Sequence, residues 1–388
     1  MSNNFDQITP RRGTDSYKFD SAARYGKPDD LLPLWVADMD FPAPDCVLDA
    51  LQTRVQHGVF GYTEPSSSYF GALKSWFTGR FGYTFDPAWV TLTPGVAFAI
   101  CTAIRAFTAP FESVLIQEPV YYPFRESVLG NRRKLVVNNL QREGEKYSID
   151  FIDFETQIVE HQVRLFILCS PHNPVGRVWQ AEELREMVRI CAKHDVLIFS
   201  DEIHCDFIFP GYTHHVLPAL VPEQAGRMIL ATAPSKTFNL PGLQNSNIFI
   251  ADPELRRTFR REVYGSGYTQ PSAMGVVACR AAYSEGGPWL EALNTYLLAN
   301  MIQIDTFLKT KLPQIRMIPP EGTYLAWLDC RALGLSPDEL EHKLLHEAKL
   351  WLSRGDIFGS AGAGFLRINA ACPRTTLDDC LNRMAQIL

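Results

Sequence analysis

The sequence predicts an α/β fold joined to a second, smaller α+β unit, and three observations carry that prediction. Short, unbroken apolar runs recur at 113–117 (SVLIQ), 164–169 (RLFILC), 196–200 (VLIFS), 228–232 (MILAT) and 247–250 (NIFI). Runs without polar alternation suit strands buried on both faces, as in a parallel sheet. Helical patterns separate several of them, 181–193 (AEELREMVRICAK) for example, and strand–helix alternation marks α/β architecture. Beyond about residue 285 the texture changes, and helices and strands no longer alternate regularly.

That second region reads as a long helix at 289–311, a strand at 323–328 (TYLAWL), a helix at 338–347, a strand at 365–369 (FLRIN) and a final helix. The N-terminal stretch carries Pro28, Pro33, Pro42 and Pro44, reads as irregular, and is expected to join it. The expected division is a large domain at 45–285 and a small one formed by 1–44 with 286–388.

Composition bounds the function. The 388 residues are 46% hydrophobic and 21% charged, the balance of an ordinary globular protein. A net charge of −6 without basic tracts argues against nucleic acid as a partner. Nine cysteines show no C-x-x-C pair, which reads as reduced thiols. Residues 1–13 have no apolar core of a signal peptide, and no run approaches the ~18 apolar residues of a membrane span. The expected location is cytoplasmic, with no membrane partner.

Chemistry concentrates just beyond the apolar runs. Ligands of open α/β sheets sit beyond the carboxyl ends of the strands. After 164–169 comes SPHNPVG at 170–176, and after 196–200 comes Asp201, with His204 three residues on. After 228–232 come Ser235 and Lys236, after 113–117 comes Tyr121, and after Thr91–Leu92 comes a glycine-led helix start at Gly95, Val96 and Ala97. Each has a bland reading alone. Asn173-Pro-x-Gly is a turn signal, Asp201 a helix cap, Tyr121 a core residue. Lys236 is harder to dismiss, because burying an ammonium is costly unless it is paired or neutral.

Together these parts match pyridoxal phosphate. That cofactor needs a lysine for its aldehyde and a carboxylate near its pyridine nitrogen. Asn173 suits its phenolate oxygen and Tyr121 its ring face. Gly95 and Val96 at the helix start, with Thr232 and Ser235, suit its phosphate. No metal site is expected: His204-x-Asp206 and His214–His215 offer two ligands each, too few for a cage. A cysteine nucleophile at Cys169 or Cys205 rests on proximity to His172 or His204 alone. The run 359–364 (GSAGAG) lacks nucleotide-loop spacing and reads as a mobile loop.

The motifs SPHNPVG (170–176), SDEI (200–203) and SKTFN (235–239) stand in the order and spacing of fold-type-I pyridoxal-phosphate enzymes of the aspartate aminotransferase superfamily, which the chain resembles along nearly its whole length. Within that superfamily it most resembles the MalY/PatB class of cystathionine β-lyases, or C–S lyases. The residues behind this are LPLWVADMDFP (32–42), GVFGYT (58–63), DEIHC (201–205) and FLRINAACPR (365–374).

The resemblance implies a mostly parallel seven-stranded sheet in the large domain. It implies that Lys236 bonds the cofactor, that Asp201 pairs with the pyridine nitrogen, Asn173 with the phenolate oxygen, and that Tyr121 stacks on the ring. Arg367 would clamp the substrate carboxylate, with Asp38 near the substrate. Tyr62 would reach the phosphate of a neighbouring subunit in a homodimer with shared sites. The implied reaction is α,β-elimination of L-cystathionine or a related cysteine S-conjugate to pyruvate, ammonia and a thiol. An aminotransferase shares every cofactor residue, and a pyridoxal-phosphate-binding regulatory module is the third reading. Gln244 stands where many aminotransferases have a phosphate-binding arginine, which tilts the balance to the lyase.

Overall fold

A computed structural model describes residues 4–388. Its largest feature is a seven-stranded sheet. In chain order the strands are β1 (Val90–Thr93), β2 (Ser113–Glu118), β3 (Lys134–Asn139), β4 (Leu165–Cys169), β5 (Leu197–Asp201), β6 (Met228–Thr232) and β7 (Ser246–Phe249). They lie side by side as β1-β7-β6-β5-β4-β2-β3. The pairs from β6 through β3 are parallel, whereas β7 runs antiparallel to both β1 and β6. The expected runs at 113–117, 164–169, 196–200 and 228–232 are thus parallel strands, and the run at 247–250 is the reversed one.

The apolar runs are unbroken because both faces are covered. Val114, Ile116, Leu165, Ile167, Phe199 and Ile229 pack on one face with Ala99, Ile100 and Ala103 of the helix Val96–Phe107. Leu115, Phe166, Leu168 and Ile198 point the other way, onto Leu184, Met187, Val188 and Cys191 of the helix Ala181–Lys193. Successive strand residues alternate faces, so a strand sandwiched between helices needs apolar residues at every position.

A second sheet of four short strands is antiparallel throughout: β8 (Arg316–Met317), β9 (Leu325–Asp329), β10 (Ser353–Arg354) and β11 (Phe365–Asn369), ordered β8-β9-β11-β10. Its apolar side, Ala326, Leu328, Leu366 and Ile368, packs with Leu377, Leu381 and Met384 of the final helix, Arg374–Ile387. The expected helix at 338–347 is shorter. It opens at Pro337 under a Ser336–Glu339 capping box, ends as an α-helix at His342, and continues as one wider π-type turn, Lys343–Glu347. The glycine run at 359–364 forms tight turns rather than an open loop. A Cβ on Gly355 or Gly362 would collide with the other's backbone carbonyl, and one on Gly364 would meet the Arg331 side chain at 2.6 Å.

Among the described residues no helix is long and apolar enough to cross a membrane. All nine cysteines are free thiols.

Candidate active site

The parallel strands bring their carboxyl ends to one edge of the sheet, and a cavity of about 190 Å³ opens there. Gly95, Val96 and Ala97 line it from the helix start that follows β1, and Tyr121 lines it from beyond β2. Asn173 enters after β4, Asp201 and His204 at and after β5, and Ser235 and Lys236 after β6. Residues spread over 140 positions of sequence therefore meet because the chain re-enters the sheet in parallel. Ala37, a neighbour of Asp38 in VADMDF, also lines the cavity, as does Asn245, which the sequence had not marked.

Lys236 sits in a single helical turn, Pro234–Thr237. Its Nζ donates to the Ala37 carbonyl at 2.7 Å. Burial pushes its pKa down to about 8; Asp38 and Asp201 oppose that shift, and Arg367 adds to it. Asp201 is buried, and one carboxylate oxygen accepts the Ile203 N–H at 3.1 Å. Desolvation raises its pKa to about 7. Behind it, buried Glu202 accepts from Ser200 at 2.8 Å and from the Leu217 N–H at 3.0 Å, and pairs with His214 at 2.8 Å. This occupies His214, and among the described residues no group of three metal-ligating side chains forms.

Asn173 uses its Oδ1 to accept from Arg367 at 3.0 Å, and its carbonyl accepts the Tyr121 N–H at 3.0 Å. Arg367 also donates to the Trp35 carbonyl at 2.7 Å and lies 4.8 Å from the Phe358 ring centroid. Burial lowers its pKa to about 10. Tyr121 is enclosed enough that its phenol is pushed well above the usual value. Burial holds His204 far below the ordinary imidazole pKa, with the cations Lys236 and Arg367 adding to the effect, so the ring is neutral.

Four buried polar atoms in or beside this cavity have no protein partner: His204 Nδ1 and Asn245 Oδ1 in its wall, Thr232 Oγ1 at the end of β6, and Arg367 Nε next to Asn173. A buried unsatisfied polar atom costs about 1–3 kcal/mol, so a cluster of them around one cavity marks a place for a polar ligand. Asp38 has a further unpartnered oxygen, while its other oxygen accepts from Arg11 at 2.6 Å. Tyr62 is not brought to this cavity. It is 97% exposed, on a separate surface hollow shared with residues 267–274. Gln244 is exposed with a left-handed φ of 50° and stays outside the cavity, while its neighbour Asn245 faces in.

A sheet-edge cavity that gathers an amine, a carboxylate, an amide and a helix start defines an enzyme of the aminotransferase class I and II family. The chain belongs to that family, matching it over residues 29–384. It is 42% identical over 385 residues to cystathionine beta-lyase PatB of Bacillus subtilis (strain 168), covering 99% of this chain and 100% of that protein. It is 33% identical to protein MalY of Escherichia coli (strain K12), covering 96% of both chains. Among solved structures, cystalysin from Treponema denticola, which contains a pyridoxal 5'-phosphate cofactor, superposes with a TM-score of 0.96 at 35% identity, over 100% of this chain and 99% of that one.

Proposed function

We propose that this enzyme is a pyridoxal-phosphate-dependent C–S lyase. It would take L-cystathionine or a related cysteine S-conjugate to pyruvate, ammonia and a thiol, which is homocysteine in the case of cystathionine. The observation that carries the reading is the single cavity shared by Lys236, Asp201, Asn173, Tyr121 and the Gly95 helix start. The similarity to PatB supports it.

The donor set fits the cofactor. Unpartnered Thr232 Oγ1, the Ser235 hydroxyl and the N–H groups of residues 95–97 suit a phosphate at a helix start. Asn173 keeps its Nδ2 donor for the ring oxygen, because Oδ1 is taken by Arg367. Asp201 suits the ring nitrogen, Tyr121 the ring face, and the neutral His204 lies in the same wall. Bound there, the cofactor supplies an electron sink for the substrate's α-carbon.

The remaining steps belong to the chain. Arg367 presents an unpartnered Nε to the substrate carboxylate, a charge-assisted contact. Lys236, once free, removes the Cα proton. An amine whose pKa is about 8 is neutral in roughly a tenth of molecules at pH 7, where an ordinary lysine is almost wholly charged. The Cβ–S bond then breaks with the electron pair leaving on sulfur. A thiol pKa near ~8.5 makes thiolate a good leaving group, and the three-carbon fragment hydrolyses to pyruvate and ammonia.

The same reading includes a homodimer in which exposed Tyr62 reaches the neighbouring subunit's phosphate site, and Asp38 near the substrate. It includes the division into 45–285 and 1–44 with 286–388, and a cytoplasmic location, which the nine free thiols support.

Incubation with L-cystathionine and no keto acid should release pyruvate and free thiol in equal amounts. Amino transfer to an added keto acid with negligible thiol release would replace this reading with the aminotransferase one. Arg367→Lys keeps the charge but loses the planar fork. It is expected to raise KM about tenfold or more, with a smaller effect on kcat, in steady-state kinetics. An unchanged KM would remove Arg367 from carboxylate binding.

A further inference from the structure

Residues 35–41 form a strap that contributes Ala37 to the cavity wall, and it is tied down through its backbone. Arg367 donates to the Trp35 carbonyl, Asn369 to those of Val36 and Asp38, and Asn239 to those of Met39 and Phe41. The centre of the strap, the Ala37 carbonyl, accepts two side-chain donors. One is Lys236 Nζ at 2.7 Å and the other is the hydroxyl of fully buried Tyr324 at 2.9 Å. Tyr324 is held by ring contacts to Phe207 at 4.9 Å and His204 at 5.6 Å. Among the described residues its hydroxyl makes no other hydrogen bond.

A carbonyl oxygen has two lone pairs and can serve both donors, but each donor draws on the same electron density. The hydrogen bond from a charged ammonium is the stronger of the two kinds Lys236 can make, because charge-assisted bonds exceed neutral ones. A second donor on the oxygen weakens that bond more than it weakens the bond from a neutral amine. It also fixes where the oxygen lies, and so where the amine's remaining lone pair points.

We propose that Tyr324 is a positioning residue for Lys236, acting through the Ala37 carbonyl they share: it limits how strongly that oxygen holds the ammonium and keeps the amine available as a base. The kinetic consequence rests on the lyase reading above, in which Lys236 takes the Cα proton; the geometry does not. The charged groups facing Lys236 are Asp38, Arg367 and Asp201. Tyr324 itself faces Asp38, Arg367 and Tyr121, and burial holds its phenol far above the usual value, so the hydroxyl stays a donor throughout the range.

The test is Tyr324→Phe, which keeps the ring and both aromatic contacts and leaves Ala37 satisfied by Lys236. In the cofactor-free protein, competitive labelling with acetic anhydride across pH, read by mass spectrometry on the Lys236 peptide, gives the titration midpoint of that one amine. The midpoint is expected to rise by about half a unit in the variant, the equivalent of a fraction of one net hydrogen bond, with melting temperature nearly unchanged. In the loaded enzyme, where the amine is free only after substrate has displaced it, the acid limb of kcat should move to higher pH in the variant. A folded variant whose Lys236 midpoint is unchanged or lower overturns the proposal. Because the labelling needs neither cofactor nor substrate, it stands apart from the cystathionine assay, and a failed lyase assay leaves it readable.

Discussion

Lys236→Ala is expected to lower pyruvate release from L-cystathionine by at least about a thousandfold, within the range for loss of a positioned general base. The fold should survive. The Ala37 carbonyl loses one donor but keeps Tyr324 at 2.9 Å, and the substitution removes an amine that burial disfavours in its charged form. The same variant should show no visible absorption band from lysine-bound cofactor after dialysis against pyridoxal phosphate. Both measurements address one residue by separate routes. A rate within tenfold of the parent, with the band retained, would move the site away from Lys236.

Asp201→Asn should separate function from stability. In the folded chain the carboxyl titrates near 7, against 3.8 for the free group, chiefly because it is buried. The sign follows from that rise. Below about pH 4 the group is protonated in both states and costs nothing. As pH climbs from 4 to 7 the unfolded chain releases the proton first, so stability is lost over that window. Asparagine has no charge to bury and still offers an oxygen to the Ile203 N–H. Cofactor-free Asp201→Asn should therefore exceed the parent at pH 8, by on the order of 2 kcal/mol in urea denaturation, and match it near pH 4. Its turnover with cofactor should fall about a hundredfold or more, as when a preorganised charge partner is removed. A variant that is less stable than the parent at pH 8 would show that Asp201 is not paying a desolvation cost, and full activity would show that no charge is needed there.

The sheet was legible because its physics is local to each strand. A strand sandwiched between helices must be apolar at every position, and β2, β4, β5 and β6 each read that way. The site was legible for a related reason: parallel strands put their carboxyl ends on one edge, so residues following separate runs could be placed together before any distance was known. What escaped was polar or long-range. β3, read from Lys134 to Asn139, lies at the sheet edge with exposed residues at both ends, so it lacks the unbroken apolar signature. The direction of β7 depends on its partners, and its apolar residues would look the same either way. The strap at 35–41 has no helical or strand period, because side chains elsewhere hold its carbonyls. Asn369, two residues past Arg367, and Asn239, three past Lys236, were visible in the sequence, yet nothing local said that their amides would grip a segment some 200 to 330 residues distant. Buried Lys18, bonded to both oxygens of Asp40 at 2.9 Å, was hidden for the same reason.

The backbone anchoring of that strap has an evolutionary consequence. Its ties grip carbonyls, which every amino acid supplies, so the position of the chain does not depend on which side chains it carries. Ala37, Met39 and Phe41 are committed to the core, but Val36 and Trp35, whose ring stacks on Trp351 at 4.2 Å, are only partly buried. Substitution at those two positions can alter the packing next to Arg367 while the register of the strap, and with it the Ala37 carbonyl that meets Lys236, stays fixed. Change along this segment thus has room to act that is uncoupled from the placement of Lys236.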